Sequence, residues 1–251
     1  MRLTQEDYRY FLKDSVRLAI DFSETDQSRG KPAPPIQKSV PAGLERIDLV
    51  PINDWSGIAR VDITSAIAQR QSVRNYTAEP LTRDELSYLL WTTQGLREIA
   101  TPSTAFRTVP SAGCRHSFET YICAMNITGL EPGVYRYLPI EHQLATVVKD
   151  PDIGLHVAQA ALGQAFTGKA AATFVWTTIP YRMEWRYGLA AHKVIAIDIG
   201  HVCQNLYLAC AAIKAGTCAV AAYNQTALDK LLGVDGKDEF ALYLASVGKT
   251  G

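Results

Sequence analysis

Two arginines flank a serine in the segment Arg70-Gln71-Ser72-Val73-Arg74. In extended backbone, residues i, i+2 and i+4 point to one side. That side would carry two guanidinium forks and a hydroxyl, a donor set for a phosphate or a polarised carbonyl. The same spacing also describes a solvated charged turn. A second group is Val109-Pro110-Ser111-Ala112-Gly113-Cys114-Arg115-His116-Ser117. Its small residues let backbone come close to a flat ligand. Cys114 and His116 stand two apart with no carboxylate placed to orient the imidazole, so a thiol–imidazole nucleophile is not expected. The third group is Tyr243-Leu244-Ala245-Ser246-Val247-Gly248-Lys249. A strand ending in Gly248-Lys249 delivers one ammonium to an anion, or is an ordinary frayed basic tail.

The elements that must position these groups are partly legible. Thr4 to Ala19 is predicted helical. Five prolines between Ser28 and Pro51 (Pro32, Pro34, Pro35, Pro41 and Pro51) forbid a long helix there. That arm is expected either as a disordered linker or as a wrap around a partner subunit. A short helix over Asp62–Gln69 precedes Arg70. Thr82-Arg83-Asp84-Glu85 is a capping box that opens a second helix, with Leu86, Leu89, Leu90 and Thr93 on one face and Gly95 as its stop. Glu119–Met125 and Val134–Leu138 read as strands joined through the turn Gly129–Gly133. A helix over Ile153–Leu162, a buried strand over Ala171–Thr178, a long apolar helix over Ala190–Ala215 and a last strand over Glu239–Val247 complete the reading. The long helix lies either at a dimer interface or in the core of its own chain. Helices and strands mix without a βαβ rhythm, which predicts an α+β fold. The chain divides into an N-terminal helix and proline-rich arm, 1–60, and a main domain, 61–251.

Other chemistries are excluded by context. Gly163–Ala170 nearly spells a phosphate loop, but a helical pattern precedes it, a strand follows, and Ala170 lacks the magnesium-binding hydroxyl. No Gly-rich dinucleotide fingerprint follows a strand. The 25 basic and 25 acidic side chains balance to zero, which offers nothing to nucleic acid or an anionic membrane. No apolar run approaches the ~18 residues that span a bilayer. The five cysteines form no CxxC pair; reduced thiols in a cytoplasmic protein are expected, with no metal site.

Three motifs in order carry a family likeness: R-x-S-x-R at Arg70–Arg74, P-S-A-G-x-R-H at Pro110–His116, and G-L-x-P-G-V-Y-R-Y at Gly129–Tyr137. Asp198–Leu206 and Leu232–Gly236 with Glu239 add two more. From Ile63 to Lys249 the chain resembles the nitroreductase superfamily, and more narrowly its SagB-type branch, which includes the azoline oxidases of peptide-maturation clusters. The resemblance implies a mixed or antiparallel sheet flanked by helices, dimerised through a long central helix, with FMN between subunits. It implies that Arg70, Gln71 and Ser72 hold the phosphate and ribityl end, and that Gly248-Lys249 adds a second phosphate cation. Arg74 would face the flavin N1–C2=O edge, where the reduced ring carries negative charge. Pro110, Ser111, Ala112 and Gly113 would come from the partner subunit against the ring. Ala221 and Ala222, after a short strand Cys218–Val220, would lie near flavin N5. His201 would be a structural or interface residue.

The implied reaction is ping-pong hydride transfer through flavin N5 on a small-molecule substrate, with NAD(P)H as a transient donor. One departure concerns the Lys-Tyr pair of azoline oxidases, which aligns here with Arg186-Tyr187. An arginine is a poor base because it does not deprotonate. Tyr187 would act as acid or base, or only pack. The competing readings are a peptide-azoline dehydrogenase that needs a partner protein, and a flavin-binding, non-catalytic protein on the same fold.

Overall fold

A computed structural model describes residues 4–251. The expected N-terminal helix is broken into α1 (Gln5–Leu12) and α2 (Ser15–Leu18). Thr4 caps α1 through a capping box with Asp7, but neither helix buries a residue. Without a packed face, nothing carries the helix through Lys13 and Asp14. Over residues 36–48 the proline-rich arm is ordered against the main body. It lies on its own chain: the Arg107 guanidinium donates to the Ile36 carbonyl at 2.7 Å and Arg136 to the Ser39 carbonyl at 2.8 Å. It then becomes β1 (Arg46–Asp48).

The main body follows as α3 (Ile63–Gln69), α4 (Arg83–Gln94), a small hairpin of β2 (Leu96–Thr101) and β3 (Thr104–Arg107), then β4 (Phe118–Ala124), β5 (Gly133–Leu138), β6 (Gln143–Lys149), α5 (Ile153–Ala160), α6 (Phe166–Lys169) and β7 (Ala172–Thr178). It ends with α7 (Tyr181–Tyr187), α8 (Ala191–Ala211), β8 (Ala215–Val220), α9 (Gln225–Leu232) and β9 (Phe240–Lys249). The seven-stranded sheet runs β1-β6-β5-β4-β7-β9-β8 with every neighbouring pair antiparallel. The Thr82 capping box is formed, and Leu86, Leu89, Leu90 and Thr93 of α4 are buried. The long helix is shorter than expected, because Lys214 turns left-handed and Ala215 already belongs to β8.

Both faces of the sheet are covered. Phe118 and Ile122 of β4 and Phe174 and Trp176 of β7 meet the apolar faces of α4 and α8. Tyr121, Cys123 and Val175, with the opposite parity, meet α5 and α9 through Val157, Leu228 and Leu232. This is why β4 and β7 are buried at every position rather than at alternate ones. Each large side chain so buried contributes about 1.5–3 kcal/mol. Contrary to expectation, Tyr181–Ala211 is long and apolar enough to cross a membrane by length and composition. Its Ile195, Ile199, Val202 and Leu206 are buried in the core cluster beside α4, which accounts for that apolarity.

Candidate functional site

The chain leaves α3 at Arg70, whose ψ of 124° ends the helix, and runs extended alongside β8. Ser72 bridges Thr217 in parallel register, and the Val73 amide donates to the Thr217 carbonyl at 2.9 Å. Gly216 and Gly248 permit this close approach: a Cβ on Gly216 would stand 2.6 Å from the Val73 Cβ, and one on Gly248 2.7 Å from the Tyr76 ring. Arg70, Gln71, Ser72 and Arg74 are all exposed. The Ser72 hydroxyl lies 2.9 Å from the Tyr207 hydroxyl, which accepts the Ala219 amide at 3.0 Å. The Arg70 guanidinium stacks 5.4 Å above the Tyr207 ring, and that of Arg74 lies 5.7 Å from Phe166. Tyr207 therefore organises the strip from α8, a role no local motif announces. Arg74 and Ser72 also act on the Cys218 thiol, which burial nonetheless holds above the ordinary range.

Lys249 is not a free cation. The residue is 7% exposed, and its ammonium pairs with the Glu85 carboxylate and donates to the Ile213 carbonyl at 2.7 Å. The second oxygen of Glu85 accepts the Thr82 amide at 2.9 Å, so one carboxylate both caps α4 and holds the end of β9. Gly248 serves Tyr76 rather than a ligand. Ala221 and Ala222 are exposed just beyond β8, with the Ala222 carbonyl accepting from Gln164 at 2.9 Å.

A second cluster gathers around the loop after Pro110. Ser111, Ala112 and Gly113 lead into a single turn, with Gly113 left-handed at φ 57°. The Ser111 hydroxyl accepts the His116 amide at 3.0 Å, and the Ala112 amide donates to Asp198 of α8 at 3.1 Å. Burial raises the Asp198 carboxyl, against the Ser111 and Ala112 hydrogen bonds. A Cβ on Gly113 would meet the Tyr187 hydroxyl at 2.7 Å and Arg186 Nε at 2.9 Å. The structure thus brings Arg186 and Tyr187, stacked at 5.6 Å, against the small-residue loop. His116 cannot serve Cys114 as a base: burial, then the nearby Arg107, push its imidazole down to about 3.

The two clusters do not meet within one chain. Asp198 and Tyr207 are nine residues apart on α8, which is about 13 Å along the axis and half a turn around it. The strip and the loop therefore occupy opposite faces of the same helix. A recess of about 910 Å³ is walled by Trp55, Tyr88 and Trp91 and carries no carboxylate, thiol or imidazole. Gly163–Ala170 runs from α5 into β7, the reverse of the order a phosphate loop needs. No metal-ligand cluster occurs among the described residues.

An antiparallel sheet covered by helices, with an arginine–serine strip on one side of a long helix and a small-residue loop on the other, defines a class of fold and site found in known proteins. Residues 67–249 match the Nitroreductase family, and the chain belongs to that family. It is 32% identical over 192 residues to MJ1384 of Methanocaldococcus jannaschii, provisionally named a nitroreductase, covering 76% of this chain and 93% of that protein. A provisionally named nitroreductase structure from Anabaena variabilis superposes with a TM-score of 0.68 at 23% identity, over 86% of this chain. This chain spans only 45% of that one. The E. coli microcin synthetase McbBCD complex, with truncated pro-MccB17 bound, contains a chain similar in fold, with a TM-score of 0.61 at 18% identity over 100% of this chain and 98% of that one. The likeness to the SagB-type branch is consistent with that last fold.

Proposed function

We propose that the chain is one protomer of a homodimeric, FMN-dependent oxidoreductase that acts on a small molecule in the cytoplasm. The carrying observation is the placement of the two clusters on opposite faces of α8. A ligand gripped by Arg70, Ser72 and Arg74 of one protomer can meet the Ser111 loop only if that loop comes from a second copy. Ala196, Ile197 and Gly200 are exposed along α8, an apolar and small-residue face fit for an isologous contact.

The residues fit a flavin mononucleotide. A recess of about 670 Å³ beside the strip contains Arg70, Gln71 and Thr217, and the Thr217 hydroxyl is buried with no hydrogen-bond partner. Arg70, the Ser72 hydroxyl and Gln71 would hold the phosphate and ribityl end. Arg74 would sit farther along β8 toward Ala221 and Ala222, as a fixed cation beside the ring. When bound, FMN supplies two-electron hydride chemistry, so no acid–base pair of the protein is obligatory. Tyr207 keeps Arg70 and Ser72 oriented. Pro110, Ser111, Ala112 and Gly113 of the second copy would close over the ring and exclude water. The five unbonded thiols suit a reducing compartment.

A second reading, peptide-azoline oxidation with a partner protein, draws on the fold shared with a chain of the microcin synthetase complex. Arg186 weighs against it, because removing a proton from carbon needs a base whose pKa can approach working pH. The purified protein is expected to show the visible flavin bands and to release FMN on denaturation; FAD, or no uptake of added FMN, would overturn the proposal. Reduced nicotinamide is expected to bleach the flavin bands under anaerobic mixing, while an azoline peptide leaves them unchanged. Fast bleaching by the peptide favours the second reading.

A further inference from the structure

Three chain segments end at the recess beside the strip: Arg70 and Gln71 leave α3, Lys214 leaves α8, and Thr250 leaves β9. Helix C-termini carry the negative end of the macrodipole, about half a charge each. Two of them, from α3 and α8, lie here, so a phosphate dianion needs more than one cation to settle. Arg70 supplies one. Lys249, the cation expected from sequence, is committed to Glu85. Lys214 is exposed and makes no ion pair among the described residues. Its backbone is held left-handed at φ 51°, with its carbonyl accepting from the Thr250 amide at 3.4 Å, so its Cα stays at the rim. Thr217, 2% exposed, lines the same recess, with its hydroxyl buried and without a partner.

We infer that Lys214 is the second cation of the phosphate site, closing with Arg70 on the phosphate end of the ligand. This rests on the FMN reading above. It also fixes the ligand's direction: phosphate at the start of β8, ring toward Ala221. Ser72 opposite Thr217 sets that polarity, since Arg70 falls near the Ala215 end of β8 and Arg74 near its Val220 end.

The test compares FMN with riboflavin, which lacks the phosphate, by flavin fluorescence titration of the full chain. Lys214→Gln is expected to weaken FMN about tenfold, the scale of one charge-assisted contact, and to leave riboflavin affinity unchanged. Lys214→Arg should retain the FMN preference, and the loss in Lys214→Gln should shrink at high salt. Lys249→Met is expected to lower the melting temperature without altering the FMN-to-riboflavin ratio. A Lys214→Gln protein with an unchanged ratio overturns the inference while leaving the FMN reading standing. So does a lowered melting temperature as its only effect, the signature of a cation that merely caps α8. A wild-type protein that takes up neither flavin fails the FMN reading itself.

Discussion

Glu119→Ala is expected to cost about 3–5 kcal/mol of unfolding free energy, the scale for removing one partner of a buried ion pair. Glu119 of β4 is 3% exposed and Arg182 of α7 2%. The carboxylate accepts from Arg182 at 2.5 Å and from the Lys38 amide of the arm at 2.8 Å. Two more buried guanidiniums, Arg107 and Arg136, stand nearby, and burial pushes that of Arg107 down to about 10, still charged at neutral pH. Glu239, which the Lys38 ammonium reaches, is already engaged by Tyr121 and Thr177 as well. Burial raises the Glu119 carboxyl, but Arg182 and Arg136, with the Lys38 amide, outweigh it and hold it below the usual range. A depressed carboxylate contributes stability that is complete above its unfolded pKa, about 4.3, and that is lost as pH falls through the lower folded value. His116 acts in the same direction, since its unfolded form takes a proton below about 6.5 and its folded form only near 3. Wild-type stability should therefore decline from about pH 6.5 downward, and Glu119→Ala should lose the lowest part of that slope. Urea unfolding at a series of pH values measures both. A loss below about 1 kcal/mol at pH 7 would mean the arginines find other partners.

How far the sequence carried depends on how local each cause is. The start of α4 was legible because Thr82 and Glu85 satisfy amides within one turn. The β4–β5 pair was legible through the glycine and proline of Gly129–Gly133. Helix α9 lies outside the elements expected from the sequence, although Asn224 caps it and Gly233 closes it left-handed. The β2–β3 hairpin turns at Pro102-Ser103 without glycine and is mostly exposed, so its apolar alternation is weak. Helix α7 begins directly after Pro180, where a strand had just ended. The arm's contacts with Glu119, Arg107 and Arg136 span 71 to 97 residues of chain and leave no trace in spacing. The same holds at the site. Arg70, Ser72 and Arg74 stand out in the sequence because their period of two is a property of the strip itself. Lys249 was misread because its partner, Glu85, lies 164 residues away. Tyr207 is not legible in the sequence because its contacts with the strip depend on how α8 meets β8.

Mixing two defective variants is expected to restore flavin binding that neither possesses. Arg70→Glu puts a like charge where the phosphate would bind. Gly113→Val forces a Cβ into the Tyr187 hydroxyl and Arg186 Nε, at a left-handed φ of 57° that a β-branched residue resists. It should spoil the loop together with the Arg186–Tyr187 pair while leaving the strip intact. If each site takes its strip from one protomer and its loop from the other, a mixed dimer contains one site with both defects and one with neither. If strip and loop of one chain served the same site, every site in the mixture would carry a defect. The half-turn between Asp198 and Tyr207 on α8 favours the first arrangement. Random reassortment makes about half the dimers mixed, so bound FMN should rise from near zero in each parent to about a quarter of the wild-type amount. The parents are purified separately, shown by circular dichroism and light scattering to be folded dimers, dissociated and reassociated together, and passed through gel filtration before the flavin absorbance is read. Flavin recovered only in the mixture establishes a site shared between subunits. No recovery from two folded, reassorted parents means that the loop is not donated across the interface, and α8 then has to be read as a core helix alone.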